Sequence, residues 1–414
     1  MLNSQKDSFD VEITTLGNGG NGIGILPSGR KVFIPYCLPG EIIRTKIILE
    51  KKEYCYGEVI EILRPSPERI IPKCWHFGSC GGCHYQHIVY ESQLKYKVQI
   101  LTEQLRRLAQ VETLPIEPII PSLRIWHYRN HIQFHPTELG KMAFLAPFSN
   151  KRIEIRECFL MQSPMDQLWQ SLALEEESGI DRVSWRVNEE QAALLFLEGQ
   201  HSEPPEFYID YPLNVVYANP DQMTLLSGDS SLVYSIKDAD FLVSVGSFFQ
   251  VNTVMISPLV DYLLNVIQPK TTDTIMDIYC GVGLFSKFFA PYSKQIIGVE
   301  ISESAVSDFV INLDEFENVE IYLGAAEQII PNLNIKSEVI LVDPPRNGLT
   351  NDVLKKIIQI APNLLVYVSC DLSSLARDMR KIISAGYQIV SIRPFDMFPQ
   401  TFHLETVCVF HKPK

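Results

Sequence analysis

From Val243 to the carboxyl end, short apolar runs alternate with stretches of helical spacing, which limits this part of the chain to a doubly wound parallel sheet. The strand candidates are Thr274–Ile278, Gln295–Val299, Val319–Leu323, Glu338–Val342 and Leu364–Ser369. Gln388–Arg393 and Thr406–His411 follow with a short connection and are expected to close the sheet as a hairpin-like pair. Ligands of such sheets gather beyond the carboxyl ends of the strands, so the polar residues just past each run are the ones to weigh. Leu364–Asp371, read as L-L-V-Y-V-S-C-D, has the length of a strand covered on both faces and ends on Ser369 and Cys370. Apolar residues at Leu372, Leu375, Ala376, Met379 and Ile382 predict a helix starting directly behind it. A thiol at a helix amino terminus meets partial positive charge, which lowers its pKa and makes it a nucleophile. The same position also suits an inert cysteine packed as a small hydrophobe.

Past the first strand comes D-I-Y-C-G-V-G-L-F-S, with Asp277, Tyr279, Gly281 and Gly283. Its glycines let backbone approach a ligand closely, and no Lys or Ser/Thr pair follows to cradle phosphates. Glu300 ends the second strand in I-I-G-V-E, where an acidic side chain takes both hydroxyls of a ribose. Asp343, in V-D-P-P-R, ends the fourth strand and faces the same crevice. The glycine loop and Glu300 together resemble the S-adenosylmethionine site of Rossmann-like methyltransferases.

The front of the chain reads differently. Phe9–Thr14, Gly22–Leu26, Lys31–Pro35, Glu41–Leu49 and Tyr54–Leu63 are short β-strands separated by glycine- and proline-rich turns, the pattern of a small closed barrel. Gly17, Gly19 and Gly22 satisfy G-x-G-x-x-G literally, but they lead into a strand and not a helix, so they read as turn residues. The stretch resembles a TRAM domain, an RNA-binding barrel, whose Lys and Arg residues with Phe33, Tyr36, Tyr54 and Tyr56 suit backbone contact and base stacking. Pro65, Pro67 and Pro72 look like a linker.

The stretch C-W-H-F-G-S-C-G-G-C-H follows, with Cys74, Cys80 and Cys83 in close succession. Such crowding points to a metal centre. Cys158 is the best fourth ligand for a cluster, and His76, His84 or His87 would serve a zinc alternative. Glu91–Ala109 reads as an amphipathic helix, and Trp126–Ile155 as strands that interleave basic and aromatic residues, as single-stranded RNA surfaces do.

The net charge of −13 is unevenly spread: residues 1–160 hold 20 Lys+Arg against 16 Asp+Glu, whereas residues 161–414 hold 16 against 33. A polyanion would therefore meet mainly the first part. Met1–Asp10 carries no basic-then-apolar pattern and no long apolar span follows, so a cytoplasmic location is expected, with cysteines as thiols, ligands or catalytic groups.

G-S-F-F-Q-V-N (246–252), D-I-Y-C-G-V-G (277–283), D-P-P-R-N-G-L (343–349), Y-V-S-C (367–370), L-A-R-D (375–378) and D-M-F-P-Q-T-F-H-L-E-T-V (396–407) resemble the signatures of the RNA 5-methyluridine methyltransferase family. With the barrel and the cysteine-rich stretch, the chain is most similar to the bacterial branch acting on 23S ribosomal RNA. The transfer-RNA branch usually lacks both additions.

The resemblance implies an S-adenosylmethionine cofactor held by Gln250, Tyr279, Glu300 and Asp343, and a 4Fe-4S cluster on Cys74, Cys80, Cys83 and Cys158. It implies that Cys370 adds to carbon 6 of uracil and that Glu405, or less suitably His403, removes the proton from carbon 5. Arg129 and Phe134 are candidates to hold the unpaired RNA. Where the family commonly carries Asn after the nucleophile, this chain has Asp371, whose charge is expected to raise the thiol's pKa and shift the pH optimum above that of an Asp371→Asn variant. The expected architecture is multidomain: an OB-like barrel over 1–65, an α+β domain with the cluster over 66–242, and a Rossmann-like α/β methyltransferase domain over 243–414.

Overall fold

A computed structural model describes residues 8–147 and 149–413. Strands β1 (Ser8–Leu16), β2 (Gly22–Ile25), β3 (Lys31–Ile34), β4 (Ile42–Glu50) and β5 (Tyr54–Arg64) form a closed barrel in the order β1-β2-β3-β5-β4. Alternation decides the faces: Val11, Ile13, Val32, Ile34, Ile43 and Cys55 point inward as one core. Gly19 is a turn residue at φ +89°, but Gly22 is a strand residue. A Cβ there would lie 2.4 Å from Cys37 Sγ, so the barrel interior leaves no room for a side chain.

Helix α1 (Tyr90–Gln104) ends in a π-helical turn over Leu105–Ala109. Its buried face, Tyr96, Ile100 and Leu101, joins one core with Met276, Ile340 and Tyr367 of the carboxyl-terminal sheet. The proline-rich stretch after it lies along a sheet edge: Glu117 N donates to Ile392 O at 2.9 Å, and Ile392 N to Pro115 O at 3.0 Å. Prolines, which lack a donor, are tolerated at such an edge.

Next come β6 (His131–Phe134), β7 (Ala143–Leu145), β8 (Arg152–Glu154), α2 (Met165–Leu168), β9 (Ile180–Val187), β10 (Ala193–Gly199), β11 (Leu213–Ala218) and β12 (Met223–Ser227). They build a sheet of order β12-β11-β10-β9-β6 and a β7-β8 hairpin over a core that holds Phe134, Trp169 and Trp185. The hairpin β13 (Ser231–Ile236) and β14 (Ala239–Ser244) packs Tyr234 and Phe241 against Ile256 and Leu259 of α3 (Ile256–Ile267).

The remainder is β15 (Thr274–Ile278), α4 (Leu284–Phe289), β16 (Gln295–Glu300), α5 (Glu303–Asn312), β17 (Val319–Leu323), α6 (Ala326–Ile329), β18 (Val339–Val342), α7 (Asn351–Ile360), β19 (Leu364–Ser369), α8 (Leu372–Ser384), β20 (Gln388–Phe395) and β21 (Glu405–His411). The sheet order is β17-β16-β15-β18-β19-β21-β20, with the first five strands parallel and β21 antiparallel to both its neighbours. The direction of winding reverses between β15 and β18, which opens the ligand crevice above these two strands. The last two strands close the sheet as the expected antiparallel pair, with the nine residues 396–404 connecting them. Because β21 inserts between β19 and β20, the chain from Asp396 to Leu404 crosses the carboxyl end of the sheet. Among the described residues no helix is long and apolar enough to cross a membrane.

Candidate active site

The crevice is shaped first by backbone. Tyr279 (φ +68°), Gly281 (φ +55°) and Gly283 (φ +87°) all adopt left-handed conformations between β15 and α4. At Gly283 a Cβ would sit 2.4 Å from Leu313 Cδ1 and 2.8 Å from Phe309 Cδ2, so glycine lets α5 close onto the loop. Glu300 fixes the loop from β16, accepting hydrogen bonds from Gly281 N at 3.0 Å, Ile301 N at 2.8 Å and Ser302 N at 2.9 Å. Asp277 beneath it is fully buried and accepts from Ser286 Oγ at 2.7 Å; burial pushes its pKa up to about 7. Gln250 is on a tethered segment and buried, its carbonyl accepting from Asn130 Nδ2 at 3.1 Å.

Cys370 follows the last residue of β19, and the antiparallel register ends at Ser369↔Thr406, so Glu405, the first residue of β21, comes close enough to act on the thiol. Glu405 is buried, and among the described residues its Oε1 has no hydrogen-bond partner. Asp343, just past β18 and half-buried, joins these acids. Burial and nearby Asp277 push Asp343 up to about 7, and burial and Asp343 in turn raise Glu405 well above the usual carboxylate range. The thiol responds to this neighbourhood. Burial, then Glu405 and Asp343, push Cys370 up to about 12 against opposition from Arg346, overriding the lowering expected at a helix amino terminus. Asp371 is not among the largest causes; it caps α8, accepting from Ser374 N at 2.8 Å. His403 is pushed down to about 3, by burial first and then by Arg346, which leaves it a weak base.

On the barrel side of the crevice, Cys74, Cys80, Cys83 and Cys158 are free thiols lining one cavity of about 730 Å³ together with Arg129, Arg346 and His403. They are close enough to act on one another: burial chiefly, with Cys80 and Cys74 adding, pushes Cys158 up to about 11. Of the histidines weighed for zinc, His76 already accepts from Arg156 N at 2.9 Å, and His87 is packed against Tyr36 and Phe77. Among the described residues no three or more His, Cys, Asp or Glu side chains are gathered as a single-ion site.

A family profile described as tRNA (Uracil-5-)-methyltransferase matches residues 229–413, and a TRAM domain profile matches residues 7–60. An uncharacterized RNA methyltransferase of Halalkalibacterium halodurans is 32% identical over 98% of this chain and 97% of its own length, and one of Clostridium tetani is 30% identical over 97% and 96%. The chain belongs to the RNA uracil-5-methyltransferase family. It is an S-adenosylmethionine-dependent RNA methyltransferase with an amino-terminal TRAM domain. Its fold is shared with the Pyrococcus abyssi tRNA (uracil-54, C5)-methyltransferase solved with S-adenosyl-L-homocysteine, at a TM-score of 0.75 and 22% identity over 97% of this chain and 100% of that one.

In this methyltransferase Cys370, Glu405 and Asp343 come together, and the loop held by Glu300 lies at the neighbouring strand ends. Phe134 does not join them. It is 0% exposed, with its ring stacked on Phe144 at 4.7 Å, and would have to unpack the central core to meet RNA. Arg129 lies among the cysteines, its Nε shielded and, among the described residues, without a partner. On the barrel, Phe33, Tyr54 and Tyr56 form a half-exposed ring cluster with centroids 5.5–5.8 Å apart, while Tyr36 turns inward to Phe77. The barrel also touches the catalytic domain, where Asn18 Nδ2 donates to Ser373 Oγ at 3.3 Å in the first turn of α8.

Three features escaped the sequence reading. Phe248 and Ile301, 66% and 65% exposed, stand beside Gln250 and Glu300 as open apolar surfaces, and G-S-F-F-Q was the available signal for the first. The third is the polar network beneath residues 396–404, signalled only by D-M-F-P-Q-T.

Proposed function

We propose that this chain methylates carbon 5 of one uridine in 23S ribosomal RNA, with Cys370 as nucleophile and Glu405 as general base. The observation that carries this reading is the pairing of β19 with β21, which ends beside Cys370 and Glu405, a buried carboxylate whose Oε1 has no partner among the described residues. Carbon 5 of uracil is a poor nucleophile. Addition of Cys370 sulfur to carbon 6 moves electron density onto carbon 5, which takes the methyl group; Glu405 then removes the proton from carbon 5 as the bond to sulfur breaks. S-adenosylmethionine, when bound, supplies that methyl group on a positively charged sulfur, and the charge offsets the two carboxylates that hold the thiol protonated. Gln250, Tyr279, Glu300 and Asp343 hold the cofactor in this reading. The target base is inside a stack in duplex RNA, so the uridine is flipped out or presented unpaired.

The barrel (1–65) binds the RNA, the central part (66–242) carries the cysteine site, and residues 243–414 carry the chemistry. Cys74, Cys80, Cys83 and Cys158 suit a four-iron cluster. These four thiols line one cavity and would hold such a cluster with one thiolate on each iron. Bound there, the cluster would tie the segment after the barrel to the central domain.

A transfer-RNA substrate is the second reading. The likeness to the Pyrococcus enzyme spans nearly the whole chain, so barrel and central domain do not separate the two substrates. Incubation with labelled S-adenosylmethionine and separated RNA fractions distinguishes them: 5-methyluridine in large-subunit ribosomal RNA supports the proposal, and label confined to transfer RNA replaces it with the second reading. Iron and acid-labile sulfide in equal amounts, lost in Cys158→Ser, test the cluster.

A further inference from the structure

The connection from β20 to β21 delivers Glu405, and its backbone is held from four separate parts of the chain. Four successive carbonyls each accept from a different group. Met397 O takes Asn252 Nδ2 at 2.9 Å, Phe398 O takes Lys97 Nζ at 3.0 Å, Pro399 O takes Tyr128 Oη at 3.1 Å, and Gln400 O takes both His84 N and Tyr85 N at 2.9 Å. Gln400 is the sharpest point of this loop. It is buried and adopts φ +67°, a left-handed conformation that a side-chain-bearing residue keeps only when its surroundings impose it. What imposes it is Gln93 on α1. The buried Gln93 amide accepts from Gln400 N at 3.1 Å and donates to Gln400 Oε1 at 3.0 Å, and its remaining donor capacity is shared by Ile88 O at 3.0 Å and Tyr85 O at 3.2 Å. Beyond Gln400 the chain is short: the Phe402 and His403 rings pack at a tilt of 39° with centroids 4.2 Å apart, and Glu405 begins β21.

We propose that Gln400, clamped by Gln93, is the positioning residue of the catalytic base, fixing where β21 begins and therefore where the Glu405 carboxylate stands relative to Cys370. This rests on the reading of Glu405 as the base that removes the carbon 5 proton. The chemistry gives the role a distinct signature. Sulfur addition and methyl transfer precede proton removal, so an enzyme with a misplaced base keeps a methylated uracil bonded through carbon 6 to Cys370. A variant merely weakened in folding loses the early and late steps together.

The test uses unmodified RNA and S-adenosylmethionine, with the covalent protein–RNA complex read on a denaturing gel, in Gln400→Gly, Gln93→Leu and Glu405→Gln. Gln400→Gly keeps the left-handed backbone without strain and keeps the Gln400 N–Gln93 Oε1 bond, removing only the side-chain half of the clamp, so it disturbs the fold less than Gln93→Leu, which removes both bonds. The expected result is that Gln400→Gly and Glu405→Gln both accumulate the methylated covalent complex. Turnover falls by about 10²-fold, the scale of a lost general base, and cofactor affinity is unchanged. Accumulation in Glu405→Gln with none in Gln400→Gly would overturn the positioning role alone. No accumulation in Glu405→Gln would overturn the base assignment and the proposal with it.

Discussion

The protonation state of Cys370 can be measured directly. Its thiol is held at about 12 against 9.0 for an ordinary cysteine, by burial first and then by Glu405 and Asp343. At any pH below 9 the free enzyme therefore carries about 10³-fold less thiolate at this position than an open cysteine would. A raised pKa keeps the thiol protonated through the neutral range. Alkylation by iodoacetamide, followed on the Cys370 peptide by mass spectrometry, should then climb about tenfold per pH unit from about pH 6 to 10 without levelling. Removing one carboxylate in Glu405→Gln should speed it. A full unit charge at about 5 Å, in a medium of effective dielectric about 20, is worth ~3 kcal/mol, or about a hundredfold in thiolate. That is an upper limit, because burial and Asp343 raise the proton affinity of Glu405, so the expected gain is smaller than a hundredfold. A wild-type rate that levels off near neutral pH would refute the reasoning, since it would mean that the start of α8 outweighs burial and both acids.

Asp371→Asn keeps a capping side chain at α8 and should leave the pH profile of Cys370 alkylation where it was; a lowered midpoint would restore the charge effect first expected from sequence. Gly283→Ala puts a methyl group against Leu313 and Phe309 at a left-handed position. It should cost about 2–4 kcal/mol in urea unfolding and weaken cofactor binding, whereas an unchanged midpoint would contradict the packing described. Lys97 and Asp396 form a fully buried pair. Lys97→Met strands a carboxylate and should cost about 3–5 kcal/mol, with part recovered in Lys97→Met/Asp396→Asn; additive losses in this cycle would show that the two are not coupled.

Much of this fold was legible because strands buried on one or both faces announce themselves. The five barrel strands and the seven of the catalytic sheet lie within two residues of the apolar runs that predict them. Pattern gives strands but not their order, so the insertion of β21 beside β19, which brings Glu405 to Cys370, was not readable from spacing. The proline-rich stretch after α1 carries no strand pattern, yet it pairs along the edge of β20, where a missing donor costs nothing. Phe134 failed for another reason. Alternating basic and aromatic residues do not say which face is wet, and in β6 the ring is on the core side. The thiol's high pKa was hidden because its causes, at 343 and 405, are distant in sequence.

The most direct test of the central claim is a search for a covalent bond between Cys370 and uracil. The protein is incubated with S-adenosylmethionine and RNA from cells grown on 5-fluorouracil, then mapped by denaturing mass spectrometry. Fluorine at carbon 5 cannot leave as a proton does, so the account predicts an adduct on the Cys370 peptide that is absent from Cys370→Ala. Cofactor and RNA binding with no adduct at Cys370 would contradict it.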